Sequence, residues 1–276
     1  GRRHDDLKKA VSRVYLALIY LFLYAPILLL VVFSFNDTDT KSRTVWSGFS
    51  LRWYEMLFQD RMLLQALTNT LIIAVSAAIG ATLLGTLAAI GISSMKSWRK
   101  KVVMNITNLP MLNPEIVTGV SLMLLLVFLA NLFGVQLGIG SVILAHITFC
   151  LPYVILSVLP KLRQMDPNLY EAAQDLGCTP LRSFFKVVLP EILPGVITGM
   201  VMSFTLSLDD FIISYFCSGT TQTLPVFIYS MTKKRVSPEI NALSTILFAV
   251  ILVLLLLINV RTGKVGGRKG KEAQEF

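Results

Sequence analysis

The chain has 276 residues, of which 54% are hydrophobic and only 15% are charged, and its formal net charge is +9. This composition is too apolar for an ordinary soluble domain and predicts a membrane protein. A nucleic-acid-binding role is not favoured, because the basic residues cluster beside apolar stretches and not on one polar module. The three cysteines lie far apart in sequence and form neither a disulfide framework nor a Cys-x-x-Cys metal or redox site.

Apolar stretches long enough to cross a bilayer recur six times along the chain, at roughly 1.5 Å of helical rise per residue. The first, residues 14–35, follows a basic tail at residues 1–13. We favour a retained span over a cleaved signal peptide, because the run is long and no small-x-small cleavage site follows it. The others are residues 62–95, a third stretch from residue 102 onward, a fourth ending near residue 160, residues 195–216 and residues 240–260, before a basic tail at residues 261–276. The sequence therefore predicts an all-α polytopic membrane protein whose residues 14–260 form one six-span domain.

The third stretch is unusual because Pro110, Asn113, Pro114 and Glu115 lie in it. Proline and a carboxylate are tolerated inside a span only where protein or water surrounds them. Two interpretations remain open. Either the helix is broken here to line a cavity, or Glu115 lies near the membrane surface.

The fifth stretch carries two adjacent carboxylates, Asp209 and Asp210, which are not expected to face lipid. Neighbouring helical residues point about 100° apart. We therefore expect one acid to face a water-filled path and the other to pair or to cap a helix. The alternative is that both hold helices together or lie near the outer surface. His146 is expected to hydrogen-bond a neighbouring helix and not to act as a ligand or proton carrier.

A long polar segment, residues 166–194, separates the two apolar halves of the chain. Asp166 is expected to cap a first short helix and Gly177 to end it. A second helix is expected to begin at Pro180 and to stop before Pro190. The first helix carries an apolar stripe at helical spacing, formed by Leu169, Ala172, Ala173 and Leu176. This stripe packs either on loops of the same chain or in a groove of a partner.

The basic residues predict how the chain is oriented. Most of the 25 lysines and arginines lie in the two tails and in two loops that six spans place on one side of the membrane. The side with the excess of these residues is predicted to be cytoplasmic. Both termini and the segment 166–194 would then face the cytoplasm.

The segment 166–194 resembles the EAA loop of ABC importer permeases, whose pattern is Glu-Ala-Ala, three residues, Gly, nine residues, Ile, one residue and Leu-Pro. The matching residues are Glu171, Ala172, Ala173, Gly177, Leu189 and Pro190, with Val187 in place of the usual Ile. Further segments from the first span to the last are similar to the spermidine/putrescine permeases of this family. These segments are Phe35-Asn36, Trp53-Tyr54 and residues 146–150, 203–210 and 238–242.

The resemblance implies a type I (MetI-like) ABC importer permease fold in a bacterial cytoplasmic (inner) membrane. It implies as partners a second homologous permease subunit, two ATPase subunits and an extracytoplasmic polyamine-binding protein, with a polyamine as substrate. ATP and Mg would be bound by the ATPase subunits, so that this chain holds no cofactor or metal and has no catalytic residue. The sequence agrees with this division of roles, because it contains no Gly-x4-Gly-Lys-Ser/Thr phosphate loop.

The resemblance also implies roles for single residues. The loop would dock in a cleft of the ATPase and drive alternating access, through the coupling residues Glu171, Ala172, Ala173, Leu176, Gly177, Leu189 and Pro190. A flexible polycation needs carboxylates and aromatic faces where water is limited. The residues predicted for the substrate path are therefore the acids Asp209, Asp210 and Glu115, with Phe204, Phe211 and Tyr215 as aromatic neighbours.

Three other functions compete with this interpretation. An ABC permease for another small solute, such as an amino acid or an anion, remains open, although an anion is hard to reconcile with three acids in the path. A self-contained secondary transporter is disfavoured because no internal repeat is visible. A membrane enzyme is disfavoured because no Ser/His/Asp, Cys/His or metal-spaced cluster accompanies His146.

Overall fold

The structure is a computed structural model that describes the backbone of residues 2–37, 46–134, 136–166, 168–234, 240–253 and 256, and the side chains of these residues except 2–10 and 234. The described residues are helical apart from short connections and one isolated antiparallel bridge between Asn36 and Phe49. The predicted all-α architecture is confirmed.

The helices are numbered in chain order. They are α1 (Arg2–Phe33), α2 (Arg52–Gln59), α3 (Arg61–Ser93), α4 (Ser97–Leu112), α5 (Glu115–Phe133), α6 (Ile139–Gln164), α7 (Asn168–Asp175), α8 (Pro180–Ser183), α9 (Leu189–Asp209), α10 (Ile212–Cys217), α11 (Leu224–Lys234) and α12 (Ile240–Val253). A π-helical turn, Phe184–Val188, joins α8 to α9. The chain divides into two compact units, one made of Gly1–Arg61 with Ser230–Phe276 and the other of Met62–Tyr229.

Five helical segments within the described residues are long and apolar enough to cross a membrane. They are Val11–Phe33, Arg61–Ser93, Glu115–Phe133, Ile139–Gln164 and Pro180–Asp209, and Ile240–Val253 is a shorter apolar helix. They follow the six predicted stretches in order. The end of the sixth stretch and the tail at residues 261–276 lie outside the described residues, so the predicted domain boundaries stay a prediction.

The third span begins later than the sequence suggested. The helix α4 ends at Leu112, Asn113 is extended with a ψ of 146°, and α5 starts at Glu115 after Pro114. The ring of a proline disfavours helical geometry in the residue before it, which explains why the helix stops at this position. A span starting at residue 102 is therefore wrong, and the predicted break in the helix is confirmed. That the break lines a cavity stays a prediction, as does the alternative that Glu115 lies near the membrane surface.

The expected stop at Pro190 is also wrong, because the chain stays helical from Pro180 to Asp209. Proline disrupts an α-helix since its ring clashes with the carbonyl four residues earlier and it lacks an N–H group. Here that carbonyl belongs to Lys186, which lies in the π-helical turn. In this turn the N–H of Leu189 bonds to the oxygen of Phe184, five residues back. The wider turn accommodates Pro190 without ending the helix.

In the first unit, the end of α1 is bonded to α2. The indole Nε1 of Trp53 donates a hydrogen bond of 2.9 Å to the carbonyl oxygen of Asn36, and the hydroxyls of Ser34 and Tyr54 lie 2.7 Å apart. Trp53 is buried, so its N–H needs such a partner. These bonds hold the short helix α2 against the end of the first span.

In the second unit, α6 and α9 approach each other closely along glycines. A Cβ on Gly195 would lie 2.7 Å from the carbonyl oxygen of Ser157, and one on Gly199 would lie 3.1 Å from the Cα of Val154. Small residues allow this approach in lipid, where burial of apolar area alone gives little drive for association. The pair α6 and α9 carries the candidate site.

Candidate substrate path and coupling loop

The two adjacent acids lie at a break in the fifth span. The helix α9 ends at Asp209, and Asp210 has extended geometry with a φ of −63° and a ψ of 119°. Its carboxylate accepts hydrogen bonds from the backbone N–H of Ile213 at 3.3 Å and of Ser214 at 2.8 Å. These N–H groups belong to the first turn of α10, where a carboxylate is favourable. The predicted fifth span, residues 195–216, is therefore not one continuous helix, because Asp210 ends one helix and caps the next.

A buried histidine lies beside this break. The Nδ1 of His146 is 2.6 Å from the hydroxyl of Ser207, and its Nε2 is 3.1 Å from the hydroxyl of Ser214 and 3.3 Å from Oδ2 of Asp210. The histidine on α6 thus contacts α9 before the break and α10 after it. The prediction that it hydrogen-bonds a neighbouring helix is confirmed.

The two acids have different surroundings. The side chain of Asp210 is 6% exposed, whereas Asp209 belongs to the exposed residues. The expectation that one acid of the pair caps a helix is confirmed for Asp210. That Asp209 faces a water-filled path, and that either acid contacts a substrate, stay predictions. The helix α9 extends roughly 30 Å from Leu189 to Asp209, so the two acids lie at its carboxyl-terminal end and not at its middle.

Glu115 lies at a second helix start. It is exposed and is the first residue of α5. This helix packs on α10, where a Cβ on Gly119 would lie 3.1 Å from Phe216 and 3.3 Å from Ile212. The structure therefore places the helix that carries Glu115 against the helix that follows Asp210.

Two of the predicted aromatic residues belong to one group of rings. The ring centroid of Phe211 is 5.5 Å from that of Tyr215 and 4.7 Å from that of Tyr229, and the two tyrosines are 6.3 Å apart. Tyr215 and Tyr229 are exposed. Phe204, half-buried on α9, is not one of these three rings. Tyr229 was not predicted from the sequence, because this residue lies on α11, in a region interpreted as a polar connection.

The loop between α6 and α9 has the predicted local structure. The Oδ1 of Asp166 accepts a hydrogen bond of 2.9 Å from the N–H of Asn168 at the start of α7. Gly177 has a φ of +86°, and the N–H of Cys178 bonds to the oxygen of Ala173 at 3.1 Å. Such a left-handed residue after a helix is the usual glycine stop. The cap and the stop are confirmed.

The loop presents apolar side chains on its surface. Leu176 is 87% exposed, Leu181 73% and Phe185 59%. Of the other predicted coupling residues, Glu171 and Ala172 are exposed, Ala173 is buried, Leu189 is half-buried and Pro190 is exposed within α9. The sequence analysis missed Leu181 and Phe185, although their spacing of four residues in a polar segment is a helical signal. A cluster of exposed apolar side chains is typical of an interaction surface.

Solved structures with a similar fold define the class of protein. A bacterial ABC transporter involved in the import of the acidic polysaccharide alginate matches with a TM-score of 0.70 and 18% identity, covering 94% of this chain and 96% of that one. The MetNI methionine ABC transporter, in its inward-facing conformation, matches with a TM-score of 0.53 and 17% identity, covering 72% and 95%. The fold is that of a type I ABC importer permease.

Sequence comparisons define the family. A family model described as the binding-protein-dependent transport system inner membrane component matches residues 81–262, and the chain belongs to this family. The putrescine transport system permease protein PotI of Escherichia coli (strain K12) is 42% identical over 242 residues, covering 86% of this chain and 85% of PotI. The spermidine/putrescine transport system permease protein PotC is 41% identical in Escherichia coli (strain K12), covering 88% and 90%, and 40% identical in Haemophilus influenzae, covering 92% and 97%.

Proposed function

We propose that this chain is the permease subunit of an ATP-driven ABC importer that carries polyamines, spermidine or putrescine, into the cytoplasm. The observation that carries the proposal is the helix break at Asp209 and Asp210, in a chain 40–42% identical to permeases named for putrescine and spermidine. The chain belongs to a family of binding-protein-dependent permeases, in which such a break can form part of a transport path.

The chemistry of the break suits a flexible polycation. The exposed carboxylate of Asp209 can pair with an ammonium group, and the neighbouring rings of Phe211, Tyr215 and Tyr229 offer aromatic faces for cation–π contacts. Asp210 adds negative charge from inside the protein, and Glu115 offers a second exposed carboxylate on α5. A few separate acids attract a cation without holding it too tightly to leave.

Energy would reach this path through the loop at residues 166–194. The exposed apolar surface of Leu176, Leu181 and Phe185 would dock in a cleft of an ATPase subunit, with both termini and the loop in the cytoplasm. The chain is helical without interruption from Pro180 to Asp209. Displacement of the docked loop is thereby transmitted to the acids, and ATP binding and hydrolysis, with Mg, in two ATPase subunits would drive alternating access.

The complete importer would contain three further kinds of subunit. A second homologous permease would face this chain across the path, and an extracytoplasmic binding protein would deliver the polyamine. The exposed Asp209 would then face the shared cavity and not lipid, since a carboxylate in contact with hydrocarbon is unfavourable.

Uptake of radiolabelled spermidine and putrescine by the assembled complex tests the proposed substrate and path. Losing one charged contact weakens binding by roughly 2 kcal/mol, so Asp209→Asn is expected to raise the KM for uptake by about tenfold or more. Asp210→Asn is expected to impair uptake because it weakens the cap at the helix break. Glu115→Gln is expected to impair uptake because it removes the second exposed carboxylate.

Glu55→Gln provides the matched control, because Glu55 is an exposed carboxylate in the first turn of α2, outside the loop and the proposed path. Its uptake is expected to equal that of the unmodified protein. Unchanged uptake in all three acid variants would contradict the acid-lined path. Preferential uptake of an amino acid in competition with polyamines would contradict the substrate class.

A further inference from the structure

The imidazole of His146 is the one group in the described site that bonds to the chain on both sides of the helix break. Ser207 precedes the break on α9, and Ser214 follows it on α10. His146 itself is 1% exposed and belongs to a third helix, α6. A single rigid ring therefore joins three helices at the position where the fifth span is broken.

The polar groups of this cluster lie in contact with one another. Nε2 of His146 is 3.1 Å from the Ser214 hydroxyl and 3.3 Å from Oδ2 of Asp210. Nδ1 is 2.6 Å from the Ser207 hydroxyl, and each ring nitrogen donates or accepts according to the tautomer. Asp210 accepts in addition the two backbone N–H groups of α10. Buried polar groups satisfied in this way hold a defined geometry.

One acid of the pair belongs to this cluster, and the other is exposed. Asp210 is held inward by α10 and by His146, and the adjacent Asp209 is left on the surface. We infer that His146 is a positioning residue for Asp209, which keeps the Asp210 carboxylate inside the break and so presents the Asp209 carboxylate to the polyamine. The inference rests on the proposed function, and it adds a residue that itself has no access to the path.

Loss of the imidazole would leave the Asp210 carboxylate and two serine hydroxyls without their shared partner. Buried polar groups that lose a partner rearrange or take up water, since leaving them unpaired is unfavourable. Asp210 would then be held only by the two backbone N–H groups of α10, and an outward turn of its carboxylate would displace Asp209. In metal sites, the residues that orient the ligands change affinity or activity by about 10-fold to 100-fold, and we expect an effect at the lower end of this range here.

Polyamine uptake kinetics test the inference. His146→Leu is expected to raise the KM of the assembled complex by about tenfold while changing the maximal rate less than twofold. His146→Gln keeps one donor and one acceptor and is expected to restore the KM to within about threefold of the unmodified value. Cys150→Ala is the matched control. Cys150 lies one turn further along α6, is buried against α9 through a contact of 3.6 Å to the oxygen of Ser203, and is expected to leave the KM unchanged.

A second measurement reports the position of residue 209 without any polyamine. The thiol introduced by Asp209→Cys is labelled with a positively charged methanethiosulfonate reagent in the full complex. The chain also carries Cys178→Ser, so that its remaining native thiols, Cys150 and Cys217, are buried. Adding His146→Leu is expected to slow this labelling about tenfold, and adding His146→Gln is expected to leave it unchanged.

The outcomes separate this inference from the proposed function. Equal labelling rates and equal KM values with leucine and histidine at position 146 would overturn the positioning role, even if Asp209→Asn impairs uptake. An effect of His146→Leu on labelling, together with normal uptake in Asp209→Asn, would retain the positioning role and overturn the proposed path. An effect of Cys150→Ala as large as that of His146→Leu would show general loss of packing and would contradict the inference.

Discussion

Gly195→Ala is expected to lower the Tm of the purified protein by about 5 °C, because overpacking of a close helix contact destabilises by roughly 1–3 kcal/mol. The added Cβ would lie 2.7 Å from the carbonyl oxygen of Ser157 and 3.2 Å from the Cα of Val158. Both atoms belong to the backbone of α6, which cannot move aside as a flexible side chain does. Thermal unfolding in detergent measures the effect.

Gly91→Ala is the matched control for this substitution. Gly91 is also helical, in α3, but a Cβ there would meet no atom within 4 Å. Alanine stabilises a helix by about 1 kcal/mol over glycine, so this variant is expected to be at least as stable as the unmodified protein. Equal losses of stability in the two variants would contradict close packing at Gly195. The larger Gly195→Leu is expected to prevent assembly of the complex.

Gly177→Val is expected to uncouple ATP hydrolysis from transport. Gly177 has a φ of +86°, and a side chain there would meet no atom within 4 Å, so the effect comes from the backbone alone. A residue with a Cβ is destabilised by about 1–2 kcal/mol in left-handed geometry, and a β-branched side chain adds to this. The corner between α7 and α8 would open and displace Leu176. We expect the polyamine imported per ATP hydrolysed to fall about tenfold, while the hydrolysis rate persists.

Gly134→Val separates coupling from general strain. Gly134 ends α5 with a φ of +67°, and a Cβ there also meets no atom within 4 Å. The two variants introduce the same kind of backbone strain at two helix ends, but only Gly177 lies in the proposed docking loop. The ratio of import to hydrolysis is therefore expected to stay normal in Gly134→Val. The same ratio in both variants would contradict a special role for the loop.

The features that could be predicted from sequence are those decided within one or two helical turns. The cap at Asp166 and the stop at Gly177 depend on neighbouring backbone groups, and the structure shows both. The apolar stretches were likewise found where candidate spans lie, because length and hydropathy are local properties. The predicted helix stop at Pro190 was wrong because a π-helical turn precedes this proline, and no local sequence pattern indicated that turn.

The arrangement of the candidate site depends on contacts between distant residues. The expectation that one acid of the pair caps or pairs followed from the geometry of a helix, but the contact of Asp210 with His146, 64 residues earlier in the sequence, could not be predicted in this way. Tyr229 joins the aromatic group through the packing of α11, which composition does not reveal. Hydrophobic periodicity predicted the helices and located the acids on them. The residues that contact those acids could be identified only from the fold.

The π-helical turn at Phe184–Val188 also has a rotational consequence. Each residue of an α-helix advances the chain by about 100° around the axis, and a turn closed by a bond over five residues contains about one residue more than an α-helical turn. That extra residue changes the angle, measured around the helix axis, between the side on which Leu181 lies and the side on which Asp209 lies. Deleting one residue there would leave every residue of α8 and α9 in the chain and would shorten the spacing from Gly177 to Leu189 by only one residue. It would nevertheless turn the docking surface away from its partner by about a quarter of a revolution relative to the acids.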